Sequence, residues 1–263
     1  MIVSLLYHDV VEPGQFDGSG FSGRDADIYK LERAEFERHL ALIEHAAGCG
    51  DVGILPAAAM HEDSKVLIFT FDDGGASALS AAALLEDKGW RGHFFVTTNY
   101  IGQPKFLTAE QIRLLHSRGH VIGSHSCSHP LRISYCSSAE IEHEWKDSVR
   151  VLSECIGTQV IAASIPAGYY SRRVAELAAA SGIKFLFNSE PVSGVKGVGD
   201  CLVLGRYTIQ QQVSATTAAR IASGDWRPRF EQYISWNSRK IAKQLGGTYY
   251  VALRKRLLNS LAQ

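Results

Sequence analysis

The chain has 263 residues, 46% of them hydrophobic and 21% charged, enough for one large α/β domain with a substantial core. Its 27 basic and 27 acidic side chains cancel, which argues against a dedicated nucleic-acid binder. No apolar run reaches the roughly 18–20 residues of a membrane span, the N-terminus lacks the basic region of a signal peptide, and five scattered cysteines (Cys49, Cys127, Cys136, Cys155, Cys201) without a C-x-x-C pair fit a reducing, cytoplasmic setting.

Strand-like and helix-like stretches alternate along the chain. Ile2–Tyr7 reads as a buried strand, and Phe36, Leu40, Ile43 and Ala47 follow helical spacing. Between them, Phe16–Tyr29 is rich in Gly, Ser and Asp and reads as a long loop. Such loops are functional or disordered; Phe16, Phe21 and Tyr29 would offer stacking surfaces for a sugar.

Val66–Phe71 is β-branched and aromatic, hence a strand, and Ala76–Lys88 is an Ala/Leu-rich helix stopped near Gly89. Phe94–Thr97 and Val121–Ser124 are strands on either side of a helix opened by the capping box Thr108-x-x-Gln111. A second box, Ser137-x-x-Glu140, opens a helix with Ile141, Trp145, Ser148, Leu152 and Cys155 on one face. Val160–Ser164, Lys184–Phe187 and Leu202–Ile209 are further strands, with helices near Arg172–Ala180 and Ser214–Ser223.

This βαβα order predicts an α/β fold with a mainly parallel sheet. With about seven strands, a distorted (β/α)7-type barrel is expected. In such barrels functional residues gather at the C-terminal strand ends. His8, Asp72, Asp73, His125 and Pro166 all follow predicted strands.

Two motifs carry chemistry: Thr70-Phe71-Asp72-Asp73-Gly74 and His125-Ser126-Cys127-Ser128-His129-Pro130. Two imidazoles and one carboxylate suffice for a catalytic divalent metal, zinc being the expected ion. The second carboxylate is then free to act as general base. Adjacent residues at a strand end diverge, so one can face the metal and the other the substrate; spacing alone does not say which. Cys127 is read as a small buried residue rather than a ligand.

These two motifs resemble those of the polysaccharide deacetylases, carbohydrate esterase family 4. The resemblance implies that Asp72 is the base, that Asp73, His125 and His129 hold the metal, and that residues 1–210 form the family's distorted barrel. Ser164-Ile165-Pro166-Ala167-Gly168-Tyr169 matches the family's third motif in Pro166 and Gly168, but Ser164 stands where an Arg is usual. By this resemblance the Ala167 N–H stabilises an oxyanion, and Pro166, Gly168 and Tyr169 border the substrate. Arg206 is the candidate for the missing guanidinium and is grouped with the substrate-binding residues.

The family's late Leu-x-His is absent, since no His follows His143. Tyr7-His8-Asp9-Val10 instead resembles a segment of the biofilm poly-N-acetylglucosamine deacetylases, in which motif order is permuted. That makes His8 the expected general acid.

From Trp226 to Gln263 there are eight Lys/Arg (Arg227, Arg229, Arg239, Lys240, Lys243, Arg254, Lys255, Arg256) against Glu231 alone, so this stretch is +7 and residues 1–225 are −7. The expectation is a catalytic barrel over residues 1–225 and a basic amphipathic helical tail over 226–263. The tail packs on the barrel or touches an anionic membrane face from the inside. The expected function is removal of N-acetyl groups from an acetylated amino-sugar glycan in exopolysaccharide or lipid-linked glycan synthesis. A catalytically impaired glycan binder and a metal amidase for a small non-sugar substrate are the alternatives.

Overall fold

A computed structural model describes residues 1–55 and 65–238. Its strands are β1 (Ile2–Tyr7), β2 (Val10–Val11), β3 (Leu31–Glu32), β4 (Asp51–Val52), β5 (Val66–Phe71), β6 (Gly92–Val96), β7 (Val121–Ser124), β8 (Ala162–Ser164), β9 (Phe185–Phe187), β10 (Val195–Val198), β11 (Cys201–Leu204) and β12 (Tyr207–Thr208). The helices are α1 (Arg24–Asp27), α2 (Arg33–Glu44), α3 (Ala78–Glu86), α4 (Ala109–Ser117), α5 (Ser138–Ile156), α6 (Arg172–Ala180) and α7 (Ala215–Ser223). Both expected capping boxes are formed, at the starts of α4 and α5. Residues 226–238 form a further helix, and the rest of the basic tail lies outside the described residues.

The main sheet runs β10-β11-β9-β8-β7-β6-β5-β1-β12, with β4 added to β5. Every pairing from β11 through to β12 is parallel, so all C-terminal strand ends open on one rim. Burial on both faces explains why β5 reads as a continuous apolar run. Leu67, Phe69 and Phe71 join the core beneath the helices, whereas Val66 and Ile68 join a smaller interior cluster with Phe95, Phe187 and Leu204.

The expected strand Leu202–Ile209 is broken at Gly205-Arg206. The chain leaves β11, paired to β9, and joins β12, paired to β1 on the other side of the sheet. The path from Leu204 to Tyr207 spans at most about 11 Å, so the two flanks of the sheet must curl nearly together. That is the distorted barrel. Gly205 is required there, because a Cβ would sit 2.4 Å from the Glu190 carbonyl oxygen.

The segment Phe16–Tyr29 is more ordered than a bare loop. It contains α1, and the β2–β3 pair closes its base. Buried Lys30 pins it: its ammonium donates to the carbonyls of Phe16 at 2.5 Å and Phe21 at 2.6 Å, and pairs with Asp27 at 3.2 Å.

Candidate active site

Asp72 and Asp73 leave the end of β5 in different directions. Asp72 extends the inward face of the strand, above Thr70. Asp73 has φ 73°, the left-handed region, which swings its carboxylate toward β7. The turn that follows needs small residues: a Cβ on Gly75 would lie 2.1 Å from Asp9 Oδ1. Asp9 in turn accepts from Ser19 Oγ at 2.5 Å and Ser77 Oγ at 2.7 Å, tying β1, the loop and the start of α3 together.

His125 directly follows β7. Its Nδ1–H donates to the Ser164 carbonyl at 3.1 Å, which leaves Nε2 facing Asp73, where it gives a proton to the carboxylate or a lone pair to a cation. His125 Nε2 and His129 Nε2 lie 3.4 and 3.6 Å from the same Asp73 Oδ1. The three potential ligand atoms fall within 4.8 Å of one another. Two imidazole nitrogens and a carboxylate oxygen, with one imidazole already oriented by a backbone carbonyl, fit a divalent cation such as zinc. Cys127 Sγ points away, toward the Glu144 carbonyl at 3.4 Å.

Asp72 is clamped from behind. Arg206 donates to both its oxygens, Nη1 to Oδ1 at 2.7 Å and Nη2 to Oδ2 at 2.9 Å. Ser164 Oγ donates to Oδ2 at 3.0 Å and receives Arg206 Nη2 at 2.7 Å. Thus Ser164, at the expected Arg position, bridges the Asp72–Arg206 ion pair. Arg206 is held by the Asn188 carbonyl at 2.9 Å and lies 5.8 Å from the ring centroids of both Phe95 and Phe187. Arg206 has 0% exposure, which corrects its grouping with substrate-binding residues: it reaches the cleft only through Asp72.

The charges are strongly coupled. Burial pushes the Asp72 carboxyl up, but Arg206 and His125 outweigh burial and hold it below the usual carboxylate range. Burial also raises Asp73, and its hydrogen bond to His125 with the nearby His8 and His129 reverses this. Burial lowers His125, yet Asp72 and Asp73 lift it above an ordinary imidazole. For His129 burial wins, and its pKa falls to about 4.

A cleft of about 1350 Å³ opens over this rim and is lined by His8, Asp72, Asp73, His125, His129, Ala167, Gly168 and Tyr169. His8 is brought to the same space from the end of β1. Its ring packs on Tyr29 in a tilted arrangement with centroids 4.7 Å apart, and its buried Nδ1 makes no hydrogen bond among the described residues. Ala167 has φ 52° and ψ 11°, a left-handed conformation uncommon for alanine. Pro166 is buried and does not line the cleft. Phe21 lines the same cleft and packs on His129 at 5.0 Å and on Tyr100 and Phe106, so it also buttresses a candidate metal ligand.

Among the described residues, four of the five non-glycine residues with positive φ are Asp73, Ser126, His129 and Ala167. Backbone strain therefore concentrates at the candidate site. Sequence reasoning missed Glu144, which underlies the His125–His129 loop, and Asn188, which supports Arg206. Glu144 did leave a signal: an acid between Ile141, Trp145 and Ser148 on the buried face of α5.

The polysaccharide deacetylase family profile matches residues 59–186. YxkH of Bacillus subtilis, whose own assignment as a polysaccharide deacetylase is provisional, is 25% identical over 201 residues, covering 74% of this chain and 67% of that protein. A polysaccharide deacetylase from Bacillus cereus has a similar fold, with TM-score 0.71 and 18% identity over 84% of this chain and 68% of that one. The Streptococcus pyogenes deacetylase PplD in complex with acetate superposes with TM-score 0.65 and 20% identity, over 82% of this chain and 95% of that one. The profile match, which spans both motifs, and the barrel that displays them on one rim agree: residues 59–186 match the polysaccharide deacetylase family, and the chain shares the fold of its solved members.

Proposed function

We propose that this protein is a metal-dependent hydrolase that removes N-acetyl groups from amino sugars of a glycan. The observation that carries this reading is the pairing of the Asp73, His125 and His129 cluster with an Arg206-clamped Asp72 beside it. A divalent cation at that cluster supplies Lewis acidity to water and to the amide carbonyl.

The chain's own residues divide the remaining work. Asp72, kept ionised by Arg206, takes a proton from the attacking water. The Ala167 N–H, which enters none of the described hydrogen bonds, donates to the developing oxyanion. His8, brought to the cleft from the end of β1 next to β5, delivers a proton to the departing amine nitrogen. The C–N bond breaks, acetate leaves, and a free amino sugar remains.

Acetate release from N-acetylglucosamine oligomers, measured before and after chelation, tests the reading. Chelator-sensitive release is expected. Metal-loaded protein that binds the oligomers without releasing acetate would instead identify a glycan binder. Release only from small non-sugar amides would identify an amidase.

The same reading places the protein in the cytoplasm, at the inner membrane face, where exopolysaccharide or lipid-linked precursors are made. Its support is the helix over 226–238, which exposes Trp226, Phe230, Tyr233 and Ile234 beside Arg227. Sedimentation with anionic but not neutral vesicles is the expected result, and no sedimentation with either removes the membrane role. No helix among the described residues is long and apolar enough to cross a membrane.

A further inference from the structure

The loop between His125 and His129 is the least comfortable stretch of backbone at the site. Ser126 has φ 64° and His129 has φ 56°. Neither is glycine, so in each the Cβ crowds the following carbonyl oxygen. A loop under that strain relaxes unless its surroundings over-determine it.

Its polar groups are held from two sides. On one side the loop accepts: Thr98 N–H donates to the Ser126 carbonyl at 3.2 Å, and Asn99 N–H to the Cys127 carbonyl at 3.0 Å. On the other side the loop donates, and a single side chain receives. Glu144 Oε2 accepts the N–H of Cys127 at 2.7 Å and of Ser128 at 2.9 Å, while Oε1 accepts Ser128 Oγ at 2.5 Å. Within the loop, His129 N–H reaches Ser126 Oγ at 3.1 Å.

Glu144 is itself fixed. It is buried on α5, whose start is capped by Ser137 and Glu140 and whose Ile141, Trp145 and Leu152 lie in the core. One turn further on, Ser148 Oγ contacts Ser124 Oγ at 2.6 Å, and Ser124 Oγ accepts the Ser126 N–H at 3.0 Å. The helix thus grips the loop at successive residues, from the end of β7 up to Ser128.

From this geometry we infer that Glu144 is a positioning residue for the metal centre: it holds the strained loop in the shape that points His129 Nε2 at Asp73. Glu144 touches neither substrate nor metal in this role. Removing its carboxylate strands the buried Cys127 N–H, takes the acceptor from the part-buried Ser128 N–H, and lets the loop rotate out of its left-handed turns. The entropy of re-forming the site then falls on metal binding. The inference rests on the reading that Asp73, His125 and His129 hold a metal.

The test compares wild type with Glu144→Ala, Glu144→Gln and Ser128→Ala. Zinc affinity is measured by competition with a chromophoric chelator, and amide hydrogen exchange over residues 126–129 is measured on the metal-free proteins. Glu144→Ala is expected to weaken zinc binding about 10–100-fold, the usual effect of removing a partner behind a metal ligand. Exchange at Cys127 and Ser128 should accelerate. Glu144→Gln keeps one acceptor oxygen for the two N–H groups and donates its amide to Ser128 Oγ, so affinity should return to within about threefold of wild type. Ser128→Ala, which loses one of three bonds, should fall between them.

Unchanged zinc affinity and unchanged exchange in the Ala protein would overturn the inference, even if its thermal midpoint falls. If Glu144→Ala does not fold, an equal affinity for Glu144→Gln, Ser128→Ala and wild type with unaltered exchange overturns it as well. Wild-type protein that binds no zinc would defeat the metal-site reading, while the exchange experiment would still decide the role of Glu144 in the loop.

Discussion

Arg206 grips Asp72 with two parallel hydrogen bonds of 2.7 and 2.9 Å, and both side chains are buried. The geometry is set by topology. Arg206 sits in the two-residue crossing between β11 and β12, where the curled sheet nearly closes, so its guanidinium enters the barrel beneath the end of β5. A lysine cannot reproduce this fork. Arg206→Lys should therefore keep the charge and lower kcat on the order of 10²-fold with KM little changed, because only the base is misplaced. Arg206→Ala should cost about 3–5 kcal/mol in urea unfolding by leaving Asp72 buried and unpaired. Wild-type kcat in the Lys protein would remove the positioning role.

The two aspartates should separate cleanly on mutation. Asp72→Asn retains metal, measured as zinc per chain, and loses on the order of 10²–10⁴-fold in acetate release. Asp73→Ala or His125→Ala loses the metal itself. Turnover of Asp72→Asn at the wild-type rate would show that the base lies elsewhere.

His8 should matter according to the leaving group. An amine needs a proton, whereas a nitrophenolate does not. His8→Ala is expected to lose about 10²–10⁴-fold on N-acetyl sugars and to stay near wild type on an aryl acetate. Its thermal stability should change little, since the buried Nδ1 has no partner to lose among the described residues. Equal losses on both substrates would assign His8 to binding or to the metal centre instead.

Buried histidines away from the site should make the fold acid-sensitive. Burial lowers His93 to about 3 and also lowers His39 and His120. A folded-state pKa below the unfolded value of ~6.5 means the unfolded chain takes up protons first. The stabilisation is complete above pH ~6.5 and is lost as pH falls from there toward 3, by up to about 1.4 kcal/mol per pH unit for each histidine. Urea midpoints measured between pH 7 and 5 should fall, and His93→Gln should flatten the slope. A flat midpoint over that range would contradict this.

Much of the barrel is legible in the sequence because its strands are buried on both faces and its helices carry explicit caps. Val66–Phe71 and Ile2–Tyr7 announce themselves as apolar runs, and the boxes at Thr108 and Ser137 mark helix starts. The motif residues are legible because they directly follow such runs. What is hidden depends on long-range closure. Leu202–Ile209 reads as one strand because Gly205 and Arg206 lie between apolar residues, yet the chain changes sheet neighbours there. Lys30, which orders the loop through the Phe16 and Phe21 carbonyls, has no local pattern at all. Asp72 and Asp73 are indistinguishable by position; the positive φ of Asp73 and the Arg206 clamp on Asp72 separate them.

The most direct test of the account is a metal titration followed by acetate release. Protein stripped with a chelator should release no acetate from N-acetylglucosamine oligomers. On adding zinc, release should rise in proportion to bound metal and level off at one ion per chain. Acetate release that persists without metal, or its absence at full zinc occupancy, would contradict the assignment of Asp73, His125 and His129 as the centre of a deacetylase.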